Sequence, residues 1–373
     1  MTILDFWSRL TAALARRLRW AWNWCDRQLT RLGVYSPVFA SFYYALFNRS
    51  FDREHRAVLK GRLVHAQSQD ETADTSSVLR RGIHRLEKGI LSKPRRDIFA
   101  VHYIRETVDF YERAVQARGN GALVPDEELE WAHDVLEKYF AITGSHPRID
   151  EQRERFAQMP TPSFQKNAVR ENGRSRANGR PKRPYTRDLS EPPSVDYEDL
   201  LELSKRRRSV RWFRQEPVPR ERIRKAVDVA SLSPSACNRQ PFEFRVFDDP
   251  ELVEKVAPLP PGTKGFAHNF PAIIVLVGEL RNYYGERDRH LIYIDASLAA
   301  MSFVYAAESL GLSTCCINWP DIEKYEQEAD AVLGLEPDQR PVMFMAVGYP
   351  DPDGMVAYSQ KKPNRQMCTF NEL

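Results

Sequence analysis

The chain of 373 residues is poor in cysteine, with five: Cys25, Cys237, Cys315, Cys316 and Cys368. None forms a CxxC pair. Thiols this sparse argue against a disulfide framework or a thiolate zinc site, and fit reduced cysteines in a cytoplasmic protein. The eight histidines show no HxxxH-like spacing, so no metal site is expected. Long apolar runs are also lacking. Ala272–Val277 is typical of the longest, far below the roughly 18 residues of a membrane span. The first residues alternate apolar with Arg and show no compact signal-peptide core. No GxGxxG follows a strand pattern and no GxxxxGK[ST] occurs, so Rossmann and P-loop phosphate sites are not indicated.

A large charge surplus is missing as well. The formal net charge is +4. Residues 152–195 carry 10 Lys/Arg against 4 Asp/Glu, and residues 1–35 carry six Arg against two Asp. Residues 196–373 hold 22 Lys/Arg against 27 Asp/Glu and are mildly acidic. The basic character therefore lies outside the folded bulk, and no broad nucleic-acid surface is expected.

What is present divides into three stretches. Residues 1–151 read as an all-α domain. From Met1 to about Tyr35, Leu4, Trp7, Leu10, Leu14, Leu18, Ala21, Cys25, Leu29 and Leu32 recur at helical steps, with most arginines off that stripe. This helix packs on its own domain or a partner, or lies on an anionic membrane surface. Leu79, Ile83, Leu86 and Ile90 mark another helix, and Phe99–Val115 and Asp126–Phe140 two more. Residues 152–195, with six Pro and little periodicity, read as a disordered basic linker, with an RNA-binding arm as the alternative. From residue 196, helix and strand patterns alternate. Helices are expected at Tyr197–Arg207, from Pro219 to Ala230 and at Leu291–Leu310. Strands are expected at Phe242–Phe247, Ala272–Gly278, Ser313–Ile317 and Val342–Val347. That pattern is an α+β or α/β layered fold.

Two strings carry the chemistry. Arg206-Arg207-Arg208-Ser209-Val210-Arg211-Trp212-Phe213 gathers forked cationic donors and a hydroxyl, a phosphate-binding device that needs no glycine loop. Ser233-Pro234-Ser235-Ala236-Cys237-Asn238-Arg239-Gln240-Pro241-Phe242 offers a hydroxyl and a carboxamide on a proline-set turn between helix and strand.

Together these strings resemble the FMN-dependent nitroreductase family. Pro217-Val218-Pro219, Asp295-Ala296-Ser297-Leu298-Ala299-Ala300, Gly311-Leu312-Ser313-Thr314-Cys315-Cys316 and Gly348-Tyr349-Pro350 extend the resemblance, in order, over about residues 196–373. It implies an α+β fold with a mixed or antiparallel sheet flanked by helices, here preceded by the all-α domain. It implies a homodimer with FMN at the interface, and ping-pong hydride transfer from NAD(P)H through flavin N5 to a small organic acceptor. Arg207 and Ser209 would hold the phosphate and ribityl oxygens. Arg208 and Arg211 would face the ribityl chain and the ring's N1–O2 edge. Pro234 and Ser235 would line the ring and Asn238 would bond its O4/N3 edge. The backbone after Cys316, at Ile317 and Asn318, would face N5. Lys362 and Arg365, with Lys361 an alternative, would complete the phosphate site, and Tyr283 and Tyr284 would line the substrate pocket. No protein nucleophile is then required. The string His84-Arg85-Leu86-Glu87-Lys88-Gly89 resembles an extension of nitroreductase-like proteins linked to polysaccharide synthesis. The alternatives are a flavin-dependent tailoring dehydrogenase on a glycan or peptide intermediate, and an adaptor binding membrane or RNA through the basic helix and linker.

Overall fold

The computed structural model describes all residues except 1–2, 71–75, 119–123, 160–180, 188, 191 and 372–373. The chain forms two compact units, Met1–Arg56 and Ala57–Leu373.

In the first unit, α1 (Ile3–Gly33) is followed by α2 (Pro37–Leu46). Ser36 caps α2 by accepting the Phe39 N–H at 3.3 Å, and Pro37 sits where a helix has no N–H to satisfy. Tyr43, buried on α2, donates its hydroxyl to Asp26 of α1. Trp7, Trp20, Trp22 and Trp24 of α1 stay exposed, as do Val38, Phe42 and Leu46 at four-residue steps on α2. The unit boundary falls within α3 (Asp52–Asp70).

In the second unit, α4 (Ser77–Leu91), α5 (Ile104–Gln116), α6 (Asp126–Ile142) and α7 (Pro147–Gln158) enclose an apolar core of Leu79, Ile83, Leu86, Val108, Tyr111, Leu136 and Tyr139. Close packing of α4 on α5 needs Gly82, where a Cβ would stand 2.5 Å from Thr107 Oγ1. The stripe of Leu79, Ile83 and Leu86 is the share of α4 in this core.

The linker expected at 152–195 is corrected at both ends. Its first seven residues belong to α7, where Arg155 pairs with Asp109 at 2.7 Å and Glu112 at 2.6 Å. Ion pairs to α5 thus order an Arg-rich stretch whose polar composition reads as linker. At the other end, Lys182 pairs with Glu130 at 2.6 Å and Arg183 with Glu137 at 3.3 Å, both on α6. Residues 160–180 of that stretch lie outside the described residues. The division into 1–151 and 196–373 is corrected too, because residues 57–158 pack in one unit with the layered part.

The layered part follows the expected order: α8 (Tyr197–Arg206), α9 (Arg220–Ser231), β1 (Phe242–Phe247), α10 (Pro250–Val256), β2 (Ala272–Glu279), α11 (Leu291–Ser309), β3 (Ser313–Asn318), α12 (Glu323–Leu333) and β4 (Gln339–Gly348). The strands form one antiparallel sheet in the order β1-β2-β4-β3. Side chains alternate across its faces. Ile274, Leu276, Met345 and Val347 meet α9 and α11 on one face. Ile273, Val275, Phe344 and Ala346 form a second cluster with Val253 and Val256 of α10 and Ala329 of α12.

Contrary to the run-length reading, Glu286–Ser309 is long and apolar enough to cross a membrane by length and composition. Half of that window is buried, however, and Ala296, Ala299, Ala300, Phe303 and Val304 of α11 are packed into the sheet core.

Candidate functional site

The sheet order separates the two strings. The first string runs beside β3, at one edge: Ser209 bridges Thr314 in parallel, and the Val210 N–H donates to the Thr314 carbonyl at 3.1 Å. The second string leads into β1, at the opposite edge. Three strand spacings, about 14 Å, lie between those edges. One chain therefore presents two half-sites.

The first half-site is cationic and open. Arg211 is exposed, and its guanidinium carbon lies 5.8 Å from the centre of the Phe266 ring. Arg207 is half-buried at the end of α8, and its Nε is shielded from solvent with no hydrogen-bond partner among the described residues. An orphaned guanidinium N–H is costly unless an anion meets it. The charges of Arg207 and Arg211 are felt at the thiols of Cys316 and Cys315, so these cations and β3 share one place. Arg208 differs from expectation: its Nη2 donates to the carbonyls of both Ala357 and Tyr358 and fastens the C-terminal segment. Lys361, Lys362 and Arg365 are exposed on that segment.

Strand β3 also refines the expected N5 contact. Thr314 turns its carbonyl outward to Val210, so alternation puts the backbone groups of Cys316 and Asn318 on that open edge. The N–H of Ile317 then faces β4, which corrects its place in the expected set. Cys315 is buried, and burial pushes its thiol up. Cys316, the next residue along, is exposed.

The second half-site is braced from below. Cys237, Asn238 and Gln240 hold φ of 54°, 53° and 50°, in the left-handed region that non-glycine residues rarely adopt. Ser235 Oγ accepts the Gln240 N–H at 3.1 Å, and the Ser235 carbonyl accepts the Asn238 N–H at 2.9 Å. Asp295 of α11 accepts the Ala236 N–H at 2.9 Å and the Tyr283 hydroxyl at 3.0 Å. Burial holds the Asp295 carboxyl above its usual range despite these bonds. Pro234 remains exposed beside them.

Tyr283 is corrected from a pocket residue to a packing residue. It is buried against Ala57, Val58, Leu280 and Ile292, with the Arg239 guanidinium 4.7 Å over its ring. Burial lowers the pKa of that guanidinium. Tyr284 is exposed, with Arg62 5.3 Å over its ring.

The helical region supplies what the motifs did not reveal. His65 of α3 sets Nδ1 2.9 Å from the Arg281 carbonyl, and Arg62 pairs with Glu286 at 2.6 Å. Arg80 of α4 reaches the Asn238 carbonyl at 3.1 Å and the Gln240 side-chain oxygen at 3.2 Å. His84 and Glu87, singled out in the string at 84–89, form a local pair at 3.2 Å, and Glu87 also accepts the Trp131 indole N–H at 3.1 Å.

The fold is thus a layered α+β scaffold with one cationic and one turn-based half-site. A model of the nitroreductase family matches residues 204–260 and 259–349, so this stretch is a nitroreductase-family segment. The chain is 28% identical over 155 residues to a protein of Methanothermobacter thermautotrophicus provisionally named as an NADH dehydrogenase/NAD(P)H nitroreductase, covering 41% of this chain and 78% of that one. It is 26% identical over 199 residues to a Bacillus subtilis protein provisionally named NAD(P)H nitroreductase YdgI, covering 43% and 92%. Among solved structures, an FMN-dependent nitroreductase from Clostridium difficile is 24% identical with a TM-score of 0.40, covering 46% of this chain and 99% of that one.

Proposed function

We propose that this protein is an FMN-dependent oxidoreductase that takes reducing equivalents from NAD(P)H and passes them to a small organic acceptor. The observation that carries the reading is the orphaned, solvent-shielded Nε of Arg207 beside the exposed Ser209 hydroxyl and the open edge of β3. That donor set fits a phosphate-bearing cofactor whose reactive ring needs backbone N–H groups nearby. When bound, FMN supplies hydride acceptance and donation. Arg207 and Ser209 hold its phosphate end, and Arg211 balances negative charge at the ring. Asn318 and Cys316 offer backbone groups to the ring edge. Pro234, Ser235 and Asn238 flank the ring from the second half-site. Lys362 and Arg365, exposed on the C-terminal segment, add further cations for the phosphate. Arg208 positions that segment.

The separation of the half-sites across the sheet supports a homodimer in which one protomer's cationic edge meets its partner's turn. An apolar row on α11, Ile294, Leu298 and Met301, is exposed together with Tyr197 and Leu200 of α8, and suits such an interface. The test is an absorption spectrum of the purified full chain, with FMN added if needed. Flavin bands that stay with the protein through gel filtration support the reading. A protein that stays colourless contradicts it. Steady NAD(P)H oxidation that requires a nitroaromatic favours a general reductase over a tailoring dehydrogenase.

A second reading concerns location. The exposed tryptophans of α1 and the row Val38, Phe42, Leu46 on α2 favour contact of Met1–Arg56 with an anionic membrane surface, where arginines meet headgroups and aromatic rings enter the interface. Co-sedimentation with anionic but not neutral vesicles, lost on deleting residues 1–35, tests it. The RNA-arm alternative is weakened, since Lys182 and Arg183 are already paired with acids of α6.

A further inference from the structure

We infer that Arg80 is a positioning residue of the flavin site, so that the helical region outside the family segment is a working part of that site. This rests on the flavin reading above. Arg80 lies on α4, and 158 and 160 residues separate it from Asn238 and Gln240, the two turn positions that it holds. Its guanidinium is divided three ways: Nε to the Asn238 carbonyl at 3.1 Å, Nη2 to Gln240 Oε1 at 3.2 Å, and Nη1 to Glu128 Oε2 at 3.1 Å. The Trp131 ring lies 5.7 Å from the guanidinium carbon. The side chain is only 16% exposed and that of Glu128 8%, so water competes little for these bonds.

The geometry requires a fork. A lysine presents a point charge and cannot bridge a backbone carbonyl, a carboxamide and a carboxylate at fixed angles. What the fork holds is a costly conformation, since both turn residues that it contacts, Asn238 and Gln240, are at positive φ. Residues in that region persist when their surroundings over-determine them. Ser235 and Asp295 do so from within the family segment, and Arg80 does so from outside it. Fixing the Asn238 carbonyl fixes the backbone at the Cα from which its carboxamide projects, so Arg80 sets where that carboxamide meets the ring.

The experiment titrates FMN into the apo form of the full-length protein and of Arg80→Ala, Arg80→Lys and Glu128→Gln, following flavin fluorescence. Visible circular dichroism of the bound flavin is recorded at saturation. Arg105→Ala, an exposed change on α5, is the control. The expected result is an FMN Kd raised about tenfold in Arg80→Ala, equivalent to about 1.4 kcal/mol. Arg80→Lys recovers affinity only in part, and the dichroic signature is altered in both while Arg105→Ala matches wild type. A purely structural role would lower melting temperature without changing the dichroism of saturated protein. If Arg80→Ala does not fold, Arg80→Lys and Glu128→Gln decide on the same readouts. Unchanged affinity and dichroism in folded variants overturn the inference and leave the flavin reading standing. A wild-type protein that binds no FMN overturns both.

Discussion

The two half-sites are built on opposite plans. The cationic one, around Arg207–Arg211, sits at a sheet edge with exposed or orphaned donors. The turn at Pro234–Gln240 is braced by α11 on one side and by α4 on the other. The difference teaches where the binding energy and where the rigidity of this site reside. Open guanidinium groups await a charge, whereas strained backbone must be held in place before any ligand arrives. Changes in the first half should therefore alter affinity and spare the fold, and changes in the second should alter the fold as well.

The largest expected effect is on the braced side. Asp295→Ala leaves the Ala236 N–H and the buried Tyr283 hydroxyl without their acceptor, at about 1–3 kcal/mol for each buried group. Urea unfolding should show a destabilisation of about 2–6 kcal/mol. A loss of less than about 1 kcal/mol would mean that the turn is not held through α11. On the open side, Arg207→Ala should weaken FMN binding by charge-assisted bonds worth about 1.5–3 kcal/mol, while the ligand-free melting temperature stays where it was. A drop in apo stability with unchanged affinity would reverse the contrast.

The smallest effect concerns pH. Burial lowers the pKa of His65, and the cations Arg239 and Arg81 push it the same way, against Glu106 and the Arg281 carbonyl. With the folded value depressed, His65 is neutral in the fold. Its contribution is complete above the ordinary value near 6.5 and fades as pH falls toward the folded value. His65→Gln should flatten the stability profile below about pH 6.5. An unchanged slope would show that another group sets it.

Much of the layered fold was legible because its elements bury one face or both. The apolar run Ala272–Val277 of β2 and the long α11 announce themselves by run length and by the Gly311 stop. Phe242–Phe247 and Pro219 did so by pattern and by proline placement. Helices α10 and α12 were missed because they are short and mixed in polarity. The end of α7 was missed because its order comes from Arg155 pairing with Asp109 and Glu112, and such pairs have no period. The site divided in the same way. Arg207, Ser209 and Asn238 stand in recognisable strings, whereas Arg80 acts across 158 residues of sequence, a distance at which no local pattern operates. Tyr283 was misjudged because an aromatic beside a presumed pocket looks the same in sequence whether it faces the ligand or lies beneath α3.

The central claim is that two half-sites, one open and one braced, hold one flavin. It is tested most directly by equilibrium titration of the apo full-length protein with FMN, followed by fluorescence quenching, with Arg207→Ala run beside it. The account predicts saturable quenching by wild type at one FMN per chain, and a weaker, still saturable curve for the variant. Absence of quenching in wild type, or identical curves for the two proteins, would contradict it.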